Sequence, residues 1–421
     1  MKVKAVVVRP ADNAILVLPS GLPEVEFAKD FFYADVEKPL QALQEQLGIE
    51  AYVLTLLDGP PDETTYLMLS AGAVPPDARW VQDHPAAEQA REHLALPPGA
   101  PVTPPWTKPD WYAAALPWIE EHLPSPRTGR HVQVRSWGLS NVLRIQTATG
   151  AVYFKAVGHS STITPIRPDA YPLLFVHEPH FMATLSADQP GAVAAPLAID
   201  EPRGWMLLAD LGTPLAEQTE IDVWLDAVRG HAVLQRSYVD RPERLLEAGC
   251  VDRRLAVLDA AIDDLLGQNA ATDKLEPELR AQLPQRADEL RAAIIELAAI
   301  GVPETLQHGD LHPGNVAIRD GVALAFDWTD AAIGHPFLDL VTFIQEKLPI
   351  SQDPRLTDAY LAEWAEYASP AGLRRALSLA EELGALHQVM TSLYLADHLR
   401  PHRGGNMING AVWWLKKLLK Q

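Results

Sequence analysis

Gln307-His308-Gly309-Asp310-Leu311-His312-Pro313-Gly314-Asn315, followed by Phe326-Asp327-Trp328, is the stretch that decides the fold. It sets His308, Asp310 and Asn315 in an H-x-D-x-x-x-x-N spacing, and Asp327 closes a short apolar strand. A carboxylate at Asp310 can accept a hydrogen bond from a hydroxyl and aim it at phosphorus. The amide oxygen of Asn315 and the carboxylate of Asp327 are hard donors, the kind that magnesium takes beside phosphate oxygens. Metal and hydroxyl approach a phosphate from different directions, so the three side chains must come from two adjacent loops.

The rest of the chain sets bounds on that reading. Its 421 residues predict two or three domains. At 48% hydrophobic and 21% charged, it can bury cores and is not a disordered chain. The single cysteine, Cys250, excludes an intramolecular disulfide and a cysteine-built zinc site, and fits a cytoplasmic protein. Met1–Pro10 is too briefly apolar for a signal peptide, and no run of about 18 apolar residues predicts a membrane span. The net charge of -20 argues against nucleic acid as a partner. It suits a cationic substrate, although solubility explains it as well.

Residues 1–95 read as a small α/β domain. Val3–Val8 and Ala14–Leu18 predict strands around the turn Ala11-Asp12-Asn13; Tyr52–Leu57 and Thr64–Leu69 predict two more around Asp58–Asp62. Leu40, Leu43 and Leu47 are spaced for a helix that Gly48 can close. A proline-rich stretch at 96–109 (Pro97, Pro98, Pro101, Pro104, Pro105, Pro109) predicts a semi-rigid linker. Beyond it come a helix over Trp111–Leu123 and strands over Val132–Trp137, Val142–Thr147, Ala151–Val157 and Trp205–Leu208. After about residue 220 helical periodicity dominates. The expectation is a β-rich lobe (about 110–212) and an α-rich lobe (about 213–421), with a hinge near Ala209–Gly212.

Taken together, these pieces resemble the aminoglycoside phosphotransferase and choline kinase group of kinase-like enzymes over about 110–421. The match is strongest at 305–340, where Ile333-Gly334-His335-Pro336-Phe337-Leu338-Asp339-Leu340 completes the pattern. The resemblance implies an α+β, protein-kinase-like two-lobed fold, preceded by the small α/β domain. It implies a small-molecule kinase that uses ATP and Mg2+ to phosphorylate a hydroxyl of an aminoglycoside-, choline- or sugar-like acceptor. Asp310 would be the catalytic base, Asn315 and Asp327 the metal ligands, and Asp339 a brace for the catalytic loop. Lys155 would hold the α- and β-phosphates, with Glu178 orienting it; Pro179 forces Glu178 to the start of its helix. Gly138, Ser140 and Asn141 would form a turn over the phosphates, and Ala209 to Leu211 would meet the adenine edge through backbone groups. His308 is expected to hold the loop through backbone hydrogen bonds, and His312 is placed to approach metal or phosphate. Gly309 stands where protein kinases carry an arginine and no Ala-Pro-Glu follows Asp327, so proteins are not the expected acceptors.

A fainter resemblance links Gln41–Ile49 to the second half of the Nudix box through Leu43, Glu45, Gly48 and Ile49. Its leading glycine and glutamate would fall at Phe27 and Tyr33, so most of the metal-binding carboxylates are missing. The N-terminal domain is therefore expected to be degenerate as a Nudix-type pyrophosphohydrolase. Met407–Gln421 predicts a packed terminal helix, with Lys416, Lys417 and Lys420 complementing its dipole. Two alternatives to the kinase remain at this stage: a nucleotide-binding regulatory protein without turnover, and pyrophosphohydrolase activity at the N-terminus. The sequence leaves the acceptor, the choice of ATP or GTP and the oligomeric state open.

Overall fold

Lys2–Val8 (β1) is apolar on both faces, and Val3, Ala5, Val6, Val7 and Val8 are all buried. A strand of that kind belongs inside a sheet covered on both sides. In the computed structural model, which describes residues 2–26, 32–57, 63–96, 103–158, 177–344, 347–399 and 407–419, β1 holds that place. The first sheet also contains Ile15–Val17 (β2), Glu24–Glu26 (β3), Ala51–Leu57 (β4), Glu63–Ser70 (β5) and Arg79–Val81 (β6), in the order β4-β5-β1-β2-β6 with β3 on β1. β1 runs parallel to β5 and antiparallel to β2 and β3. The helix Glu37–Leu47 (α1) covers one face through Leu43 and Ala42, and Gly48 ends it in the left-handed region.

A second, antiparallel sheet follows: Arg127–Ser136 (β7), Ser140–Thr147 (β8), Gly150–Val157 (β9), Ala198–Asp200 (β10) and Trp205–Ala209 (β11), in the order β10-β11-β9-β8-β7. The sequence reading separates the two sheets by a linker at 96–109, but in the structure they share one hydrophobic core. That core joins Val6, Val8, Tyr52 and Leu67 of the first sheet to Leu143, Ile145, Phe154 and Leu207 of the second. The helices Pro85–Ala95 (α2) and Pro109–His122 (α3) contribute Ala87, Ala90, Trp111 and Tyr112 to it. Trp111 contacts Phe154 and Trp205, and Tyr112 stacks on Tyr52 at 4.7 Å between ring centroids. The physical reason lies in the second face of the first sheet, which α1 cannot cover. Composition shows the prolines but not that uncovered face. Pro97, Pro98 and Pro101 lie outside the described residues, as do the Asp58–Asp62 turn, Phe27 and Lys420.

The chain divides into two compact units. The first is Met1–Leu173, Leu197–Asp210 and Ala396–Asn406; the second is Leu174–Pro196, Leu211–Leu395 and Met407–Gln421. The first unit passes to the second at Asp210/Leu211, and Leu174–Pro196, read from sequence as part of the β-rich lobe, belongs to the second unit. That segment carries the helix Glu178–Asp188 (α4), which begins at Glu178 with Pro179 in its first turn.

The second unit is mainly helical: Ile221–Arg236 (α5), Leu283–Ile300 and the long Pro370–Ala396 are its main helices. Two small three-stranded sheets sit among them. One is Thr213–Pro214 (β12) with Val316–Arg319 (β15) and Val322–Ala325 (β16); the other is Val251–Asp252 (β13), Thr305–Gln307 (β14) and Ala332–Gly334 (β17). The terminal helix Met407–Leu419 buries Ala411, Leu415 and Leu418 and pairs Lys416 with Glu276 at 2.8 Å. Among the described residues, no helix is long and apolar enough to cross a membrane.

Candidate active site

β14 delivers the chain into the loop His308–Asn315. β17 pairs antiparallel with β14, Thr305 opposite Gly334 and Gln307 opposite Ala332. Asn315 directly precedes β15, and Phe326-Asp327 directly follow β16. Val316 pairs with Ala325, and the Phe326 N–H donates to the Asn315 carbonyl at 2.9 Å. The hairpin thus brings Asn315 and Asp327 to its open end. The Asn315 amide nitrogen donates to the Asp310 carbonyl at 3.1 Å, which ties the first ligand candidate to the base candidate. Asp327 has φ 63 and ψ 57, a left-handed conformation that non-glycine residues seldom adopt and that Asp tolerates better than most. The Thr329 hydroxyl donates to its Oδ1 at 3.2 Å.

Asp310 stays accessible, its side chain 44% exposed, while the backbone around it is fixed. Asp339 does much of that work. Its Oδ1 accepts from the Gly309 N–H at 2.9 Å, and its Oδ2 accepts from the His308 N–H at 2.8 Å. His231 and Gln235 of α5 also reach Oδ2, at 3.0 and 3.1 Å. Burial alone would push the Asp339 carboxyl up, but the bond from His231 and the backbone donors outweigh it and hold the group ionised below the usual carboxylate range. From the long helix, Gln388 donates to the Gly309 carbonyl at 2.8 Å; Thr342 donates to the Leu311 carbonyl at 3.0 Å. Gly309 itself has φ 82, and a Cβ there would stand 2.3 Å from the Asp330 carbonyl oxygen. Glycine is required at that position by conformation and by space together.

His308 is fully buried against Trp328, and its Nε2 lies 2.9 Å from the Phe326 carbonyl. Burial pushes its pKa down to about 4, so the ring is neutral and Nε2–H donates to that carbonyl. This is the loop-holding arrangement expected of it. His312 caps the turn Pro313–Asn315, its Nδ1 accepting from the Gly314 N–H at 3.0 Å; its Nε2 is 3.9 Å from Asp310 Oδ2.

In the first unit, Lys155 lies buried on β9, paired with Met206 and Val142, and Ala209 ends β11 opposite Val152. Ser140 opens β8; its hydroxyl accepts from the Trp137 indole at 2.6 Å and so keeps its own proton to donate. A Cβ on Gly138 would stand 2.4 Å from a Leu399 methyl. Asn141 corrects the sequence reading. Its residue exposure is 0%, and its amide donates inward to the Tyr112 hydroxyl at 3.2 Å and the Ser136 hydroxyl at 3.3 Å. Both of its N–H donors are thereby used inside the core. Glu178 is buried at the first position of α4 and Leu211 is half-buried; both belong to the second unit, whereas Lys155 belongs to the first.

One carboxylate was missed. Asp330 is buried behind Gly309, has Oδ2 3.1 Å from the Thr329 hydroxyl oxygen and leaves Oδ1 without a hydrogen-bond partner among the described residues. Burial first and the charge of Asp310 second push its carboxyl up, against the opposing pull of buried Arg253. The spacing Asp327-Trp328-Thr329-Asp330 was the available signal. His231, Gln235 and Gln388 had none, since each meets the loop from far along the chain.

Residues 131–376 match the model of the phosphotransferase enzyme family (APH). Solved structures of similar fold include a choline kinase from Cryptosporidium parvum Iowa II, 10% identical over 73% of this chain and 94% of that one, with a TM-score of 0.52. A GDP complex of a mutant aminoglycoside 2'-phosphotransferase-IIIa is 14% identical over 72% and 96%, with a TM-score of 0.51. A GDP and kanamycin complex of APH(2")-IIia is 14% identical over 72% and 97%, at 0.50. At these identities the likeness is one of fold. No curated protein matches the sequence. The Nudix-like reading of 1–95 gains no support from any of these matches.

Proposed function

The chain belongs to the phosphotransferase enzyme family, and from that premise we propose that it is a magnesium-dependent kinase moving the γ-phosphate of ATP to a hydroxyl of a small polar acceptor of the aminoglycoside, choline or sugar type. The observation that carries this reading is the loop itself: an accessible Asp310 carboxylate on a backbone fixed by Asp339, Gln388 and Thr342. Asp310 accepts a hydrogen bond from the acceptor hydroxyl and aims the oxygen in line with the phosphorus. In a loose transition state that positioning counts for more than early proton removal. The hydroxyl proton passes to Asp310 as the new P–O bond forms and the bond to the ADP oxygen breaks.

The donor chemistry of Asn315 and Asp327 fits magnesium. The Asn315 nitrogen is turned to the Asp310 carbonyl, which leaves its oxygen as the outward group. One amide oxygen and one carboxylate suffice when phosphates and waters complete the shell. Bound magnesium supplies charge neutralisation at the β- and γ-phosphates. Lys155, Gly138, Ser140, Ala209 and Leu211 are assigned to nucleotide, with Glu178 as the partner that orients Lys155. Asn141 acts on the nucleotide only through the backbone of the turn it anchors.

Purified protein with magnesium and ATP, screened against a panel of hydroxyl compounds, tests the reading. Acceptor-dependent ADP release with at least one compound is expected. Tight nucleotide binding with no transfer to any of them would favour a regulatory protein instead.

A further inference from the structure

The turn Trp137-Gly138-Leu139-Ser140 is held from beneath by residues that precede the family-matched segment. β4 carries a bulge between Val53 and Thr55, so Val53 meets β5 with its ladder interrupted. The Gln133 side chain of β7 fills that gap as a strand would. Its Oε1 accepts from the Val53 N–H at 2.6 Å, and its Nε2 donates to the Val53 carbonyl at 3.1 Å. The same Nε2 lies 2.9 Å from the Tyr112 hydroxyl of α3, and that hydroxyl donates to the Val53 carbonyl at 3.2 Å. Ser136 adds a third donor to this carbonyl at 3.1 Å, and Asn141 completes the group by donating to Tyr112 and Ser136.

Ser136 and Asn141 are paired residues that flank the turn on β7 and β8. A second set of contacts grips it from the edge. The Ser136 N–H donates to the Ala34 carbonyl at 2.9 Å and the Val36 N–H to the Val134 carbonyl at 3.0 Å, so 34–36 extends the second sheet beyond β7. Asp35 pairs with Arg135 at 3.1 Å, and the Trp106 indole donates to the Trp137 carbonyl at 2.8 Å. Leu139, at the tip, is 0% exposed.

We propose that the N-terminal sheet is the positioning element for this turn, and that Tyr112 and Gln133 are positioning residues that set nucleotide affinity from outside the site. The inference rests on the reading of the turn as nucleotide-binding. In this buried network of neutral amides and hydroxyls only Asn141 Oδ1 has no partner among the described residues, and each lost donor or acceptor strands its neighbours. Removing the Tyr112 hydroxyl leaves Asn141 and Gln133 each short of a contact. The turn then loosens without any change to Asp310 or its loop.

The test uses the full chain and three variants. Tyr112→Phe keeps the ring stacked on Tyr52 and removes only the hydroxyl. Gln133→Glu keeps the shape and removes both amide donors. Leu43→Ala removes apolar bulk from the core under α1, which also contains the Val36 and Val53 side chains, without touching a hydrogen bond of the network, and controls for general destabilisation. Calorimetric titration with Mg–ATP and amide hydrogen exchange over 137–142 are measured on each. Tyr112→Phe and Gln133→Glu are expected to weaken Mg–ATP binding by about fivefold or more and to speed exchange across the turn. Leu43→Ala is expected to lower the melting temperature while leaving affinity and turn exchange within about twofold of the wild type. Unchanged exchange, or faster exchange with unchanged affinity, overturns the proposal. Equal loss of affinity in Leu43→Ala also overturns it, since a merely structural effect would then account for the result. A wild-type protein that binds no nucleotide fails the proposed function itself; the exchange measurement then still decides whether the sheet holds the turn.

Discussion

The two units tie their interiors together with different kinds of polar group. In the first, the knot at Val53 consists of uncharged partners: Gln133, Ser136, Asn141 and Tyr112. In the second, the groups around the catalytic loop are titratable: His231, Asp339, His308, Asp330, Arg253 and His387. Neutral networks hold a shape over a wide pH range. Titratable ones hold it only while each group keeps its protonation state. The loop's geometry is therefore conditional on pH in a way that the turn's is not.

Acid gives the largest expected effect. Burial pushes His177 and His308 down to about 4, and His335 and His387 to about 3; all four belong to the second unit. Each binds its proton more readily in the unfolded chain, near pH 6.5. Stability is therefore complete above that pH and is lost as pH falls through the window down to the folded values. The cost is roughly 1.4 kcal/mol per pH unit for each histidine. In the first unit, His131 is pushed the same way by burial and by Arg127. Hydrogen exchange between pH 7 and 4 is expected to show the second unit opening first. Loss of protection in the first unit before the second would break the comparison.

Gly309→Ala comes next. Strain at φ 82 and the contact with the Asp330 carbonyl should cost about 2 kcal/mol and displace Asp310. Thermal unfolding and a transfer assay check this together; wild-type values in both would remove the requirement for glycine. Asp327→Asn keeps a residue that tolerates the left-handed backbone but removes the charge. It should weaken magnesium-dependent nucleotide binding by about tenfold and leave magnesium-free binding alone. A variant that keeps the wild-type affinity in the presence of magnesium would take Asp327 out of the ligand set.

The smallest effect sharpens the comparison instead of testing it by damage. With its carboxyl pushed up, Asp330 is a stabilising neutral group at low pH, and the benefit fades as pH rises through its folded pKa. Asp330→Asn should therefore raise stability by about 1 kcal/mol at pH 8 and by little at pH 5. A gain that does not depend on pH would mean that Asp330 is ionised throughout.

Much of this was legible in the sequence, and the limits have physical reasons. β1, β4, β5 and β7 to β9 show as apolar runs between turn residues, and Pro179 placed the start of α4 correctly. The Asp310–Asn315 loop and the Asp327 strand end were legible because their order and spacing are local. The shared core of the two sheets was not, since it depends on which face of a sheet stays uncovered. Asn141 was misread because a turn residue and a core residue share the same amide chemistry; only the pairing of β7 with β8 and the position of Tyr112 decide between them. The bulges at Val53 and Gln133, which create the knot, have no sequence signature comparable to a glycine turn.

The central claim is that Asp310 directs transfer of phosphate to a hydroxyl. It is tested most directly by comparing acceptor-dependent ADP release from the wild type and Asp310→Asn, each at saturating Mg–ATP and with binding measured in parallel. The account predicts a loss of at least about two orders of magnitude in transfer, with nucleotide affinity and melting temperature nearly unchanged, because the Asp310 side chain is 44% exposed and the loop backbone is held by Asp339, Gln388 and Thr342. Transfer at the wild-type rate by the Asn variant would contradict it.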